Sequence, residues 1–365
     1  MSMGAADDVT ENIINRHLDF ARAEIISYQG NSSVTVDAIT CRQEDTQVGA
    51  LVNEKGILDP IKRRKTGDTN SRLKRSLEKM KKRKREYHMT LTQLPAQAPK
   101  PSFVGETEQK KITLQKDNGS KLVGLWHDET GSPDVVILCH GYRSSKDSRT
   151  IVKIADALKE DKISTFRFDF SGNGESEGTF QYSNYLGEVE DLRAVIGYFT
   201  RNNRRISAII GHSKGGNVVL LYASKYHDIG KVINVSGRFH LGQGIADRFG
   251  ADYLERIKKD GYIDVKNRKG KVEYRVTEQC IMDRLNINMN NSCLLIDKEC
   301  RVLTIHGSAD EITPLADAFQ FHEIIPNHKL EIVKGANHCY TAHKVELTSA
   351  VLSFIKDDFL QQVPL

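Results

Sequence analysis

The stretch Ile206-Ser207-Ala208-Ile209-Ile210-Gly211-His212-Ser213-Lys214-Gly215-Gly216-Asn217 decides how this chain is read. Residues 206–210 are apolar enough for a buried strand, and a helical pattern starts at Asn217. Between them lies Gly211-x-Ser213-x-Gly215, the pattern of a sharp strand-to-helix reversal with a serine at its tip. The serine backbone is strained in such a turn, and a glycine two residues to either side avoids side-chain collisions. The hydroxyl is then held at a sheet edge, at the N-terminus of a helix whose dipole favours developing negative charge. Alone the pattern is weak: at ordinary Gly and Ser frequencies about 0.1 chance matches are expected in a chain of this length, and a plain Gly-rich turn gives the same letters.

A hydroxyl is a poor nucleophile and needs a base, which needs an orienting acid. In a strand-turn-helix setting of this kind the acid and then the histidine follow the serine, on loops after later strands. The strand predicted at 302–305 runs into His306-Gly307-Ser308-Ala309-Asp310-Glu311, so Asp310 sits just past a strand end, with Glu311 beside it. The strand predicted at 330–333 runs into Lys334-Gly335-Ala336-Asn337-His338, so His338 falls in the loop after the last strand. Ser213, Asp310 and His338 in this order are the expected catalytic residues. An oxyanion hole needs two backbone N–H donors, expected from Lys214, directly after the serine, and from Tyr142 in the loop His140-Gly141-Tyr142-Arg143.

Outward from the serine turn, the chain alternates strand and helix. Strand patterns at 111–115 and 121–126 form a hairpin around Asp117-Asn118-Gly119. Short buried-strand runs follow at 135–139, 163–168, 206–210, 232–235, 302–305 and 330–333, most of them separated by amphipathic helices. Continuous apolar strands alternating with helices predict an α/β protein with a mostly parallel sheet covered on both faces. One stretch, about 240–297, breaks the rhythm and reads as a cap inserted between two core strands. Within it Phe249, Met282, Leu285, Leu294 and Leu295 are candidates for an apolar substrate pocket, although each suits ordinary packing of the cap on the body.

The first hundred residues follow a different grammar. Residues 1–101 are expected to be a low-order N-terminal extension, largely disordered, ending in a Pro-rich linker at 95–101. Charge is segregated: residues 1–61 carry a net −6, and residues 62–86 hold thirteen Lys or Arg against three acidic side chains. The basic segment 62–85 includes Lys81-Lys82-Arg83-Lys84-Arg85, which has the charge density of a nuclear-import or anionic-surface signal and equally that of a solvated charge run. The remaining chain, 87–365, is nearly neutral, so the overall +5 does not describe a nucleic-acid-binding domain. Six scattered cysteines without a C-x-x-C pair suggest reduced thiols in a cytoplasmic protein. No apolar run approaches the ~20 residues of a membrane helix. The histidines lack H-E-x-x-H spacing, and the chemistry above calls for no metal or cofactor.

Residues 110–363 resemble the α/β-hydrolases. The loops His140-Gly141-Tyr142 and Asp169-x-x-Gly172-x-Gly174-x-Ser176, the Ser213 turn and the Asp310/His338 pair resemble the serine-aminopeptidase-like branch that includes feruloyl (cinnamoyl) esterases and monoacylglycerol-lipase-like enzymes, with intracellular plant members the most similar. The resemblance implies an eight-stranded, mostly parallel sheet in a domain spanning 102–365, with the cap after the sixth strand. It further implies that the Asp169 loop shapes the site without joining the triad. Lys214 departs from the branch, where Met or Gln is common. The implied activity is serine-dependent hydrolysis of a small-molecule carboxylic ester. The competing expectation is a small-molecule receptor of slow or no turnover on the same fold, since the fold alone does not decide the reaction. Oligomeric state is unmarked in the sequence.

Overall fold

In a computed structural model, residues 109–129 and 132–357 are described. The expected extension 1–101, with its basic segment and linker, lies outside the described residues. The chain opens with the hairpin β1 (Lys110–Gln115) and β2 (Lys121–His127), closed by a turn with Gly119 at φ +85°. Then come β3 (Asp134–Cys139), α1 (Arg149–Glu160), β4 (Thr165–Phe168), α2 (Tyr185–Arg201), β5 (Arg205–His212), α3 (Lys214–Tyr226) and β6 (Lys231–Val235). An insertion follows: α4 (Ile245–Phe249), α5 (Tyr253–Asp260), the hairpin β7 (Tyr262–Lys266) and β8 (Val272–Thr277), α6 (Glu278–Leu285) and α7 (Met289–Leu294). The chain returns to the body as β9 (Arg301–Gly307), α8 (Leu315–Ile324), β10 (His328–Val333) and α9 (Lys344–Lys356).

Eight strands form one sheet in the order β1-β2-β4-β3-β5-β6-β9-β10. Only the β1–β2 and β2–β4 pairings are antiparallel; the remainder are parallel. The uninterrupted apolar runs of the central strands have a direct cause. Successive strand residues point to opposite faces, and here both faces are covered. Val135, Ile137, Cys139, Ile209 and Val302 face the side packed by α2, α3 and α8. Val136, Leu138, Ile210, Ile233 and Ile305 face α1 and α9. The insertion builds a small core of its own from Ile245, Phe249, Ile257, Tyr274, Val276 and Ile281.

Register places the site. Cys139 lies opposite Gly211, His212 opposite Val235, Val235 opposite Ile305, and Gly307 opposite Val333. The parallel strands therefore end nearly level, and the loops after β3, β5, β6, β9 and β10 emerge along one edge. Among the described residues no helix is long and apolar enough to cross a membrane. The five described cysteines carry no disulfide.

Candidate active site

Ser213 sits between β5 and α3 with φ +58° and ψ −122°, a conformation that costs an L-residue on the order of 1–3 kcal/mol. The flanking glycines make it attainable. A Cβ on Gly211 would lie 2.0 Å from the carbonyl oxygen of Gly215, and one on Gly215 would lie 2.5 Å from both the Cys139 and His140 carbonyl oxygens. The Gly141 loop also presses on the serine: a Cβ at Gly141 would meet the Ser213 Cβ at 3.1 Å. Tyr142 and Lys214 line the same cavity as Ser213, and among the described residues neither backbone N–H donates a hydrogen bond.

His338 reaches the serine from the loop after β10. Its Nε2 stands 2.9 Å from Ser213 Oγ, and its Nδ1 stands 2.8 Å from Asp310 Oδ2. Asp310 follows β9, its side chain fully buried, and its Oδ1 accepts the N–H groups of Ile312 and Thr313, each at 2.8 Å. Burial pushes this carboxyl up, but the His338 hydrogen bond and charge together with the two N–H donors hold it below its ordinary value. Of the two adjacent acids, Asp310 meets the imidazole; Glu311 instead accepts the His338 backbone N–H at 3.4 Å. The structure thus brings together Ser213, Asp310, His338, Tyr142 and Lys214.

Two further histidines hold these loops. His212 donates from Nε2 to the His338 carbonyl at 2.9 Å, and burial together with the His338 charge lowers its pKa to about 4. His140 donates from Nδ1 to the Gly141 carbonyl at 2.8 Å and accepts the Phe170 N–H on Nε2 at 3.1 Å. Burial lowers it as well, to about 4, so both rings are neutral struts near pH 7. Asp169 plays a comparable part on the neighbouring loop, where it accepts the Lys146 N–H at 2.6 Å, the Lys146 ammonium at 2.8 Å and the Glu175 N–H at 2.9 Å. The Lys214 side chain turns to Glu188 of α2, with Nζ 2.7 Å from Oε1 and both side chains only 4% exposed.

Ser213 and His338 open into a cavity of about 810 Å³. Residues of the insertion and of the body line it together, among them Gln243, Arg248 and Arg284 from the former and Tyr142, Tyr185 and Asn217 from the latter. The expected apolar pocket residues are a correction: Phe249, Met282, Leu285, Leu294 and Leu295 do not line it. Phe249 belongs to the core of the insertion and Leu285 packs against that core, whereas Leu294 and Leu295 are 57% and 63% exposed. The apolar side chains of the insertion are largely used to hold it together, which leaves aromatic and cationic ones to face the cavity. Sequence reasoning did not single out Arg238 or Arg284; their residue type was visible but their orientation was not.

Comparison with known proteins agrees with this architecture. Residues 132–264 match the family model described as serine aminopeptidase, S33. Over 188 residues the chain is 23% identical to protein phosphatase methylesterase 1 of Candida albicans, covering 51% of this chain and 47% of that protein. Over 104 residues it is 29% identical to a monoacylglycerol lipase of Mycolicibacterium smegmatis, covering 28% of this chain and 36% of that one. The chain thus spans about half or less of the length of these two curated relatives. Among solved structures, Est1E from Butyrivibrio proteoclasticus with ferulic acid bound superposes with a TM-score of 0.54 at 23% identity, covering 69% of this chain and 98% of the other. The Pyrococcus furiosus esterase Pf2001 does so with 0.54 at 23%, covering 70% and 98%. The chain has the α/β-hydrolase fold.

Proposed function

We propose that the protein is a serine hydrolase that cleaves a carboxylic ester through an acyl-enzyme intermediate. The observation that carries this reading is the continuous hydrogen-bonded chain from Ser213 Oγ through His338 to Asp310. His338 Nε2 takes the hydroxyl proton as Oγ attacks the acyl carbonyl carbon, and Asp310 stays ionised to hold the imidazole tautomer and stabilise the imidazolium. The carbonyl oxygen becomes an oxyanion that accepts the N–H groups of Tyr142 and Lys214. As the tetrahedral intermediate collapses, His338 returns the proton to the departing alkoxide. Water, deprotonated by His338, then attacks the acyl-serine, and Ser213 recovers its proton when the acid leaves.

An ester is preferred to an amide because its leaving group needs less protonation. The esterase and lipase names among the relatives support the class, as does the family-model match. Placement in the branch of feruloyl esterases and monoacylglycerol-lipase-like enzymes, and a domain of 102–365 with a cap at about 240–297, belong to the same proposal. The test is hydrolysis of 4-nitrophenyl butyrate by the full chain beside Ser213→Ala. Removing such a nucleophile costs up to ~10⁶-fold in turnover, so activity should vanish in the variant. Equal rates in both proteins, or none in either while both unfold cooperatively, would overturn the catalytic reading in favour of a ligand receptor.

A further inference from the structure

Several cationic side chains line the cavity that holds Ser213. Five basic residues beyond Lys214 face it, namely Arg149, Lys153, Arg238, Arg248 and Arg284, and among the described residues no Asp or Glu lines it. Lys214 is already neutralised by Glu188. Arg284, buried at 9% exposure, donates to the Leu241 carbonyl at 2.5 Å and the Tyr185 hydroxyl at 3.1 Å. Its guanidinium carbon lies 5.2 Å from the centre of the Tyr182 ring. The Arg248 guanidinium carbon stands 4.6 Å from the centre of the Tyr142 ring. Arg238 is fixed at its backbone by Asn217, which accepts its N–H at 3.1 Å and donates to its carbonyl at 2.5 Å, and its guanidinium donates to the Ile312 carbonyl. Among the described residues none of these three arginines is ion-paired to a carboxylate. Asp317 acts on Arg238 only through space and is itself bound to the Phe239 N–H at 2.9 Å.

A buried cation held by neutral oxygens and ring faces alone, as Arg284 is, is costly, and the half-buried Arg238 and exposed Arg248 beside the same cavity add like charge to it. An anion supplied by the ligand removes that cost. Guanidinium groups present forked donors that match the paired oxygens of carboxylate and phosphate. We propose that the substrate carries a fixed negative charge, a carboxylate or phosphate, bound by Arg238, Arg248 and Arg284 while its ester lies at Ser213. This deepens the ester-hydrolase reading and rests on it.

The experiment compares matched pairs of esters with the full chain. On the acyl side, mono-4-nitrophenyl adipate is set against 4-nitrophenyl hexanoate; on the alcohol side, 4-acetoxybenzoate is set against its methyl ester. Charge-assisted hydrogen bonds are worth about 1.5–3 kcal/mol, so the anionic member of at least one pair should have a kcat/KM tenfold or more above its neutral partner. That ratio should fall at least tenfold in Arg248→Gln, an exposed position where folding is not at stake, and invert in Arg248→Glu. Competitive inhibition by adipate and by hexyl phosphate separates a carboxylate subsite from a phosphate one. Neutral esters preferred in both pairs, or ratios unmoved by the Arg248 variants, would overturn the proposal. Should no ester be turned over in a Ser213-dependent way, the ester reading fails separately. The cation cluster is then judged by calorimetry: binding of adipate or hexyl phosphate that Arg248→Gln abolishes sustains it, and no binding of either overturns it.

Discussion

At the scale of single residues, the most demanding placement is the ion pair directly beneath the serine turn. Lys214 and Glu188 are almost wholly buried, and the second carboxylate oxygen of Glu188 has no hydrogen-bond partner. Burial pushes the Glu188 carboxyl up while Lys214 pulls it back. Removing one member of such a pair leaves an uncompensated buried charge and costs about 3–5 kcal/mol, whereas replacing both with apolar groups is often neutral. Thermal unfolding of Lys214→Met should therefore show a marked fall in Tm, and Lys214→Met combined with Glu188→Leu should recover most of it. A single variant as stable as the parent would contradict this account of the pair. The sequence marked Lys214 as unusual but not where its ammonium goes, because the partner is 26 positions away in another helix. The choice between Asp310 and Glu311 was open for a similar reason: strand endings are legible to within a residue or two, and adjacent side chains in a loop diverge by backbone geometry alone.

At the scale of elements, the turn between β5 and α3 shows why local chemistry was readable. Gly211 and Gly215 are each required there by a backbone collision, and a Cβ at Gly215 would press on the two carbonyls that lead into the Tyr142 loop. Gly215→Ala should consequently lower Tm by the equivalent of about 2 kcal/mol or more and, because the clash falls on the loop of the proposed oxyanion donor Tyr142, reduce butyrate ester hydrolysis at least tenfold. Thermal unfolding and initial rates check both, and a fully stable, fully active variant would contradict the tight packing described here. The insertion was legible only as an interruption of the strand–helix rhythm. Its hairpin turns at Asn267 and Gly270, and its apolar side chains were not assignable from sequence between its own core and the cavity. Four short helices can turn either face inward, and here the apolar face closed on Tyr182 and Phe249. Two contacts then tie the hairpin to the Tyr142 loop: the Tyr142 hydroxyl donates to that of Tyr274 at 2.7 Å, and Arg143 pairs with Glu273 at 2.7 Å.

At the scale of the whole molecule, the sheet was the most legible feature, because central strands covered on both faces carry unbroken apolar runs such as 135–139. The order of the eight strands, with antiparallel pairing confined to one edge, was not legible in that pattern and comes from the structure. Convergence of five loops at one edge then makes Ser213, Asp310 and His338 neighbours although the first and the last are 125 positions apart. What remained unreadable was the charge of the cavity, a property of orientation summed over several elements rather than of any one motif. The central claim is that Ser213 is the nucleophile, and covalent capture tests it most directly. A fluorophosphonate should phosphonylate the full chain through attack of Ser213 Oγ on phosphorus with loss of fluoride. Mass spectrometry should find one adduct per chain, on the peptide that contains Ser213, and none in Ser213→Ala. No adduct on the wild-type protein, or an adduct that persists in the variant at the same rate, would contradict it.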